Sequence, residues 1–399
     1  MNIAVIGAGA SGIICALKLK QLNPDLGVYL IEKNEKIGKK ILATGNGKCN
    51  IMHNPILSSF YNDEEIINQL LSEVDEHKLA KYFEELGLFT YKDEEGRMYP
   101  LSNSSNNVVF LLESLLYLHK VNLLLNTQVH QVLLKNGKYQ INNLDILFDY
   151  VVFATGSKAN LTKDIDAPYE AITKLAIKMK PLQPSLVGLK LNNVKAISGV
   201  RIKAKAYLYH FDKLISYERG EVIFKDEGIS GICVMNLSSF IARKFDYNYS
   251  LKLDLIPYMP YKMLDDIIKY QLKIDPNRKT IKFLYGIFTK KLADYLYNKY
   301  QFPNNLKDTS NLDFIDQIKY LTFKVEDLYG FNQAQVVSGG ISLKEVEKFK
   351  IVKYPNMYAI GEVLDIDGQC GGYNLFYAFA SGYYVSLRIA GEINAFNRI

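Results

Sequence analysis

The chain opens on a short apolar run, Asn2–Ala8 (NIAVIGA), which predicts a buried strand. A glycine turn follows, then an apolar-rich helix over about Ser11–Leu22. Val28–Lys33 (VYLIEK) predicts a second buried strand. Together they form a βαβ unit of ~30 residues, which implies a parallel sheet with a right-handed crossover. Helical spacing of Ile66, Ile67, Leu70, Leu71, Val74, Leu79, Phe83 and Leu86 predicts a helix across Asp63–Leu88, and another covers about Asn107–His119. Strand signals return at Leu123–Leu125, at Val129–Leu134 and at Tyr150–Ala154, just before Thr155-Gly156.

The pattern changes near Pro181–Pro184. From there to about Leu255 apolar and polar residues alternate, as in Val200, Ile202, Ala204, Ala206 and Leu208, with glycines between the runs. That predicts antiparallel strands. Tyr261–Tyr300 reads as helical and Lys-rich. Around Val336 short strands and glycine turns resume, and a last helix runs from about Asn374 to Gly391. The expected fold class is α/β: a Rossmann-type domain in two segments, 1–187 and 325–399. A β-plus-helical domain is inserted over 188–324, mainly β over 188–258 and mainly helical over 259–324.

The 399 residues suffice for two or three domains at ~150 residues each. No run of ~20 uninterrupted apolar residues exists, so no membrane span is expected. The apolar start has no basic segment before it and is broken by Gly7, Gly9 and Gly12, unlike a signal peptide. Net charge is +6, with lysines spread along the chain, which permits a nucleic-acid surface without signalling one. Cys15, Cys49, Cys233 and Cys370 lack CxxC spacing and make no disulfide framework, so a reduced cytoplasmic setting is expected. His53, His77, His119, His130 and His210 lack metal-ligand spacing, and no metal is expected.

Gly7-Ala8-Gly9-Ala10-Ser11-Gly12 is GxGxxG between a strand and a helix. Gly7 permits the tight turn, Gly9 lets the backbone approach a pyrophosphate, and Gly12 lets helix and strand pack closely. The N–H groups around Ala10 and Ser11 then offer partial positive charge to a diphosphate. Glu32 stands twenty positions after Gly12, with Lys33 beside it at the end of the second strand. A carboxylate there accepts hydrogen bonds from a ribose 2′-OH and repels a 2′-phosphate, which favours FAD or NAD over NADP.

The far end of the chain selects FAD. Met357–Gly368 reads MYAIGEVLDIDG and Gly371–Tyr383 reads GGYNLFYAFASGY. Flavoproteins often end a late strand in Gly-Asp or Gly-Glu, here Gly361-Glu362, whose carboxylate binds the ribitol. A helix then points its N-terminus at the flavin edge that gains negative charge on reduction.

With these segments in view, the chain resembles the flavoprotein family of aminoacetone oxidases and 3-dehydro-bile-acid reductases. GAGASG, Lys39–Asn50 (KKILATGNGKCN), Gly96–Ser102 (GRMYPLS), Val151–Ser157 (VVFATGS), Val336–Val346 (VVSGGISLKEV) and Gly361–Gly382 carry the likeness across nearly the whole chain. The resemblance implies that Lys40, Ala43, Thr44, Gly45 and Asn50 lie beside the ribitol and the ring. It implies that Val129 meets the adenine through its backbone and that Ala154-Thr155-Gly156 packs by the diphosphate and adenosine. Glu362 would hold the ribitol, and Gly372-Tyr373-Asn374-Leu375 would place helix N–H groups at the flavin. Lys48, Cys370 and Ile232 depart from the usual Arg, Thr and Pro, which puts pocket details in question.

Three residues are candidates for chemistry, Cys49, Lys48 and Tyr373, and a fourth, Arg97, for substrate binding. Cys49 follows the glycine turn, and either pairs in redox with Cys370 or is a small packing residue. Lys48 is either a cation near the flavin or a surface lysine. Tyr373 is a proton donor or a ring-stacking wall. Arg97 binds an anionic substrate group or forms a salt bridge. No second GxGxxG exists, so NADH or NADPH would enter the substrate cleft transiently as reductant. The expected function is an FAD-dependent oxidoreductase working through flavin N5, an NAD(P)H-dependent reductase of a small organic molecule such as an enone. Its substrate would sit over the flavin at the seam with the inserted domain. An amine oxidase of the aminoacetone type and an RNA-associated flavoprotein are the alternatives, and a flavin-binding regulator without turnover is a further rival.

Overall fold

The computed structural model describes residues 1–160, 168–244, 246, 248–309 and 311–396, with the side chain of residue 311 left aside. The chain forms two compact units, residues 1–183 with 336–399, and residues 184–335.

The first unit is built on a seven-stranded sheet. Its central strands are Asn2–Ile6, Gly27–Ile31, Asn122–Leu124, Tyr150–Phe153 and Met357–Ala359. All five run parallel, with Ile3 opposite both Val28 and Tyr150, Tyr29 opposite Asn122, and Val151 opposite Met357. Ile3, Ala4 and Val5 are fully buried. A central parallel strand is covered on both faces, so its sequence is continuously apolar rather than alternating. The helix Ala10–Leu22 follows the first strand, and the helix Tyr373–Phe396 packs along it. Tyr373–Phe396 is apolar on most of its circumference because it is buried on most of its circumference.

One expected helix is two. Asp63–Leu88 divides into Glu64–Leu71 and Glu76–Glu85. The Asp63 carboxylate accepts from Ile66 N at 3.1 Å and that of Asp75 from Lys78 N at 2.7 Å. An aspartate in extended conformation satisfies the free N–H groups of a new helix, so Asp75 starts a second one. The expected strand at Val129–Leu134 begins later, at Val132, and leaves Val129 in the loop ahead of it.

The second unit holds a closed six-stranded barrel. In spatial order its strands are Leu189–Leu191, Gly228–Ser230, Lys213–Lys225, Arg201–His210, Tyr249–Asp254 and Tyr320–Leu328. Alternation sends Ala204, Ala206 and Leu208 inward. The stretch 188–258 also contains a helix, Ile232–Lys244, with Cys233, Val234, Leu237 and Ile241 buried at helical spacing. Four helices follow, Tyr261–Ile274, Thr280–Tyr285, Lys290–Tyr300 and Asn311–Lys319. The expected boundary at 324/325 falls inside the strand Tyr320–Leu328, and the two compact units divide at 335/336. Tyr320–Leu328 closes the barrel by pairing with both Tyr249–Asp254 and Leu189–Leu191, burying Leu321 and Val325. At the upstream end the change falls at 183/184 rather than 187/188. No described helix is long and apolar enough to cross a membrane.

One ion pair sits inside this unit. Lys319 Nζ donates to Asp254 Oδ1 at 2.9 Å, to Ile256 O at 3.0 Å and to Met259 O at 3.1 Å, and both side chains are buried. All three ammonium protons therefore have acceptors. Lys319→Met should destabilise the unit by about 3–5 kcal/mol, because Asp254 is left buried without its cation. Denaturant unfolding checks this, and Lys319→Met with Asp254→Asn should recover part of the loss.

Candidate functional site

The glycine turn shows what each glycine is for. Gly7 has φ +108° and donates its N–H to Ile31 O at 2.7 Å; a Cβ on it would lie 2.3 Å from Ala154 O. A Cβ on Gly12 would lie 1.9 Å from Gly7 O. Side chains at both places are excluded by the protein's own backbone. Gly9 differs: its φ is −85°, and a Cβ there would meet nothing within 4 Å. It opens the helix Ala10–Leu22 with no side-chain cap, so no capping side chain takes up the first N–H groups, around Ala10 and Ser11. Ser11 is buried, and its Oγ would lie 2.7 Å from a Cβ on Gly361.

Glu32 is buried and ties the second strand to this turn. Its Oε2 accepts from Ala8 N at 2.9 Å, and its Oε1 accepts from the backbone N of Asn34 at 2.9 Å and from Asn34 Nδ2. Sequence alone assigns Glu32 to a ribose; the structure adds this structural task. Lys33 is half-buried beside it. Thr127 N donates to Glu32 O at 2.8 Å, which brings the loop carrying Val129 alongside.

A second polar group forms on the other side of the turn. Ala154 N donates to Ile6 O at 2.8 Å, and Gly156 follows at φ +69°. Lys40 Nζ lies 2.7 Å from Ser157 O, 3.0 Å from Ser157 Oγ and 3.0 Å from Glu362 Oε2. Ser157 Oγ also donates to Glu362 Oε2 at 3.0 Å. Gly361, at φ +68°, is anchored by Ser381 Oγ accepting its N–H at 3.1 Å. Ser157 and Ser381 were missed in the sequence, because their partners are 205 and 20 residues away and no local pattern announces them.

The segment 43–50 is a compact turn. Ala43 is exposed, Thr44 Oγ1 donates to Ile41 O at 2.6 Å, and Gly45, Asn46 and Gly47 all have positive φ. Asn50 then faces Gly372, where a Cβ would lie 2.9 Å from Asn50 Oδ1 and 2.5 Å from Met52 C. Asn374 clamps the preceding loop, accepting from Gly368 N and donating to Gly368 O, each at 2.8 Å. Its side chain is thereby committed to the loop. Leu375 is half-buried against the core. Three buried polar atoms of the predicted site residues, Asn50 Oδ1, Thr155 Oγ1 and the Tyr373 hydroxyl, have no hydrogen-bond partner among the described residues. Buried polar atoms are ordinarily paired, so the Asn50 and Thr155 oxygens fit places that a ligand's polar groups would complete.

The candidates for chemistry separate. Cys49 is fully buried at φ +60°, and burial pushes its thiol up to about 11. None of the four cysteines is in a disulfide. A thiol so shielded is almost wholly protonated near neutrality, which favours the packing role over redox work. Lys48 is exposed. Tyr373 is buried, stacked on His53 at 5.0 Å and edge-on to Phe60 and Tyr61 at 5.3 and 5.7 Å, and burial pushes its phenol up to about 12. Its ring is a packing element, and Tyr61 OH donates to its carbonyl at 2.7 Å. Arg97 is held by Asp93 at 2.8 Å and Glu95 at 2.9 Å, so it forms a salt bridge. His130 meets Glu170 and His210 meets Asp246, each at 2.6 Å. Among the described residues no group of three or more His, Cys, Asp or Glu is placed to hold a metal.

A parallel sheet whose first turn opens a helix N-terminus, faced by a late Gly-Glu and a second helix N-terminus, defines a Rossmann-type nucleotide-binding protein. The chain belongs to the family described as HI0933-like protein Rossmann domain, whose model matches residues 1–388. It is 34% identical over 408 residues to a 3-dehydro-bile acid delta(4,6)-reductase of Clostridium scindens, spanning 98% of this chain and 99% of that one. It is also 23% identical to a ribosomal RNA dihydrouridine synthase of Haemophilus influenzae, over 97% of this chain and 98% of the relative, and 24% identical to one of Escherichia coli, over 95% of each. Among solved structures, a 3-ketosteroid delta1-dehydrogenase of Sterolibacterium denitrificans shares the fold, with TM-score 0.51 at 12% identity, covering 98% of this chain and 99% of that one. The protein is an FAD-dependent oxidoreductase.

Two measurements test this geometry. In thermal melts of cofactor-stripped protein, Gly7→Ala and Gly12→Ala should each lose roughly 1–3 kcal/mol, by overpacking against backbone, whereas Gly9→Ala should melt like the parent. Iodoacetamide at pH 8 should leave Cys49 unmodified in the folded protein and alkylate it after denaturation, as read by peptide mass spectrometry.

Proposed function

We propose that the chain holds FAD along the face just described and reduces a carbon–carbon double bond conjugated to a carbonyl, with NADH or NADPH as the source of electrons. In this reading Gly9, Ala10 and Ser11 receive the diphosphate at the helix N-terminus, with Gly7 and Gly12 shaping the turn. Glu32 and Lys33 meet the adenosine ribose, Val129 the adenine, and Ala154, Thr155 and Gly156 the adenosine side. Lys40 and Ser157 fix the Glu362 carboxylate through one oxygen, which leaves the other for a ribitol hydroxyl. Ala43, Thr44, Gly45 and Asn50 face Gly361 and Gly372-Tyr373-Asn374-Leu375 across the ring. Bound there, FAD supplies hydride transfer at N5. The open face of Gly9 and the unpartnered Asn50 and Thr155 oxygens fit such a ligand.

The observation that carries the reaction is the 34% identity, over nearly the whole of both chains, to a reductase of a 3-dehydro-bile acid. A 3-oxo group conjugated with ring double bonds makes the β-carbon electrophilic, which suits hydride delivery. A second reading, reduction of uridine in RNA, is favoured by the full-length likeness to dihydrouridine synthases. Its chemistry is of the same kind, because the uracil C5=C6 bond is conjugated to the C4 carbonyl. For either substrate the protein's work is to orient the conjugated system and exclude water.

Anaerobic spectra separate the readings. NADH or NADPH should bleach the flavin absorption, and a 3-oxo-4,6-diene steroid acid should restore it. Bleaching reversed by uridine-containing RNA but by no steroid would move the assignment to the second reading. A protein that takes up no FAD would overturn both.

A further inference from the structure

The outer face of the barrel carries a feature that flavin chemistry does not use. Across the strands Lys213–Lys225, Arg201–His210, Tyr249–Asp254 and Tyr320–Leu328, outward positions bring cations and tyrosines together. Tyr217 pairs with Tyr207, which pairs on its other side with Lys252. In the next row Arg219 pairs with Lys205. Tyr209 pairs with Ser250, which pairs with Lys324, and Tyr320 stands opposite Asp254. The rings and cations interleave: Lys205 Nζ lies 3.9 Å from the Tyr217 ring centre and 4.7 Å from that of Tyr207, and Lys252 Nζ lies 4.0 Å from Tyr320.

This face carries a net excess of positive charge, although Glu221 stands opposite Lys203 and Asp254 opposite Lys205. Among the described residues no ion pair holds Lys203, Lys205, Arg219, Lys252 or Lys324. The acids nearby are engaged: Glu221 pairs with Arg201 at 3.2 Å and Asp254 with Lys319. Glu326 stands at one corner, two residues beyond Lys324. Tyr217 is 55% exposed, and Lys203, Arg219 and Lys324 are exposed. A solubilising surface keeps the two signs near balance and does not need four tyrosines on one sheet.

We propose that this face binds single-stranded nucleic acid, with the cations on the phosphates and the tyrosine rings stacking unpaired bases. Strands about 4.8 Å apart place cations in rows that can track a flexible backbone. Tyrosine faces accept any base, and bases are available for stacking only when unpaired. An acidic protein would answer the charge and leave the rings unexplained. The inference does not rest on which substrate the flavin reduces.

The test uses the full chain with FAD bound and no nicotinamide. Fluorescence anisotropy reports binding of a labelled 20-nucleotide RNA of mixed sequence, the DNA of the same sequence, and the RNA as a duplex, over 50–200 mM salt. Single strands should bind more tightly than duplex, and the preferred sugar separates RNA from DNA. Lys203→Ala with Lys324→Ala should make the slope of log K against log salt shallower by about 1.4. Tyr207→Ala and Tyr217→Ala should each weaken binding roughly tenfold at unchanged slope. Unchanged melting temperature and flavin absorption show that the variants are folded. No binding at 50 mM salt, equal binding of duplex, or variants that bind like the parent would each overturn the proposal.

Discussion

The first unit depends on backbone approaching backbone where no methyl group fits. Between the first strand and the helix after it, Gly12 meets Gly7 O, and Gly7 in turn meets Ala154 O. On the far side of the same helix, a Cβ on Gly382 would lie 2.2 Å from Ser11 O. Strand, turn, first helix and last helix are thus brought to van der Waals limits around one short segment. That closeness aims the N-terminus of Ala10–Leu22 past Gly9 and sets Gly361 against Ser11. Close packing of this kind transmits small shifts rather than absorbing them, so the position of the glycine turn is tied to the core behind it.

Polar groups extend the same logic. Glu32 accepts from Ala8 N and Asn34 N, one through each carboxylate oxygen, which fixes the end of the second strand to the glycine turn. Lys40, Ser157 and Glu362 close the opposite side with one shared carboxylate oxygen. Asn62 accepts from Asp367 N and donates to Asp365 O, each at 2.9 Å, so the segment leading into the last helix is held as well. Orientation of the site therefore comes from hydrogen bonds between segments far apart in sequence. The flavin chemistry needs few reactive side chains, which agrees with a Cys49 and a Tyr373 that are both buried in packing roles.

Much of this was readable in advance. The βαβ start, the glycine turn and Glu32 appear in the sequence because their physics is local: a buried parallel strand is continuously apolar, and a tight turn needs glycine. The split of Asp63–Leu88 was missed because apolar spacing runs through Ser72–Asp75, while the capping by Asp75 depends on its extended backbone. The helix Ile232–Lys244 was hidden inside a β-rich stretch by the glycines around it. The boundary expected at 324/325 falls inside Tyr320–Leu328 because that stretch alternates as any strand does, and only pairing tells which sheet it joins.

The sequence by itself determined the class of fold and the kind of ligand at its first turn, since strand, turn and helix are short-range consequences of residue type. Tertiary structure decided what each residue is free to do. Gly9 is open while Gly7 and Gly12 are filled, Arg97 is spent on Asp93 and Glu95, and Glu362 is shared with Lys40 across 322 positions. It also gathered the lysines and tyrosines of four strands onto one barrel face. The physical reason is that burial, pairing and proximity belong to contacts between distant segments, and no window of sequence contains them.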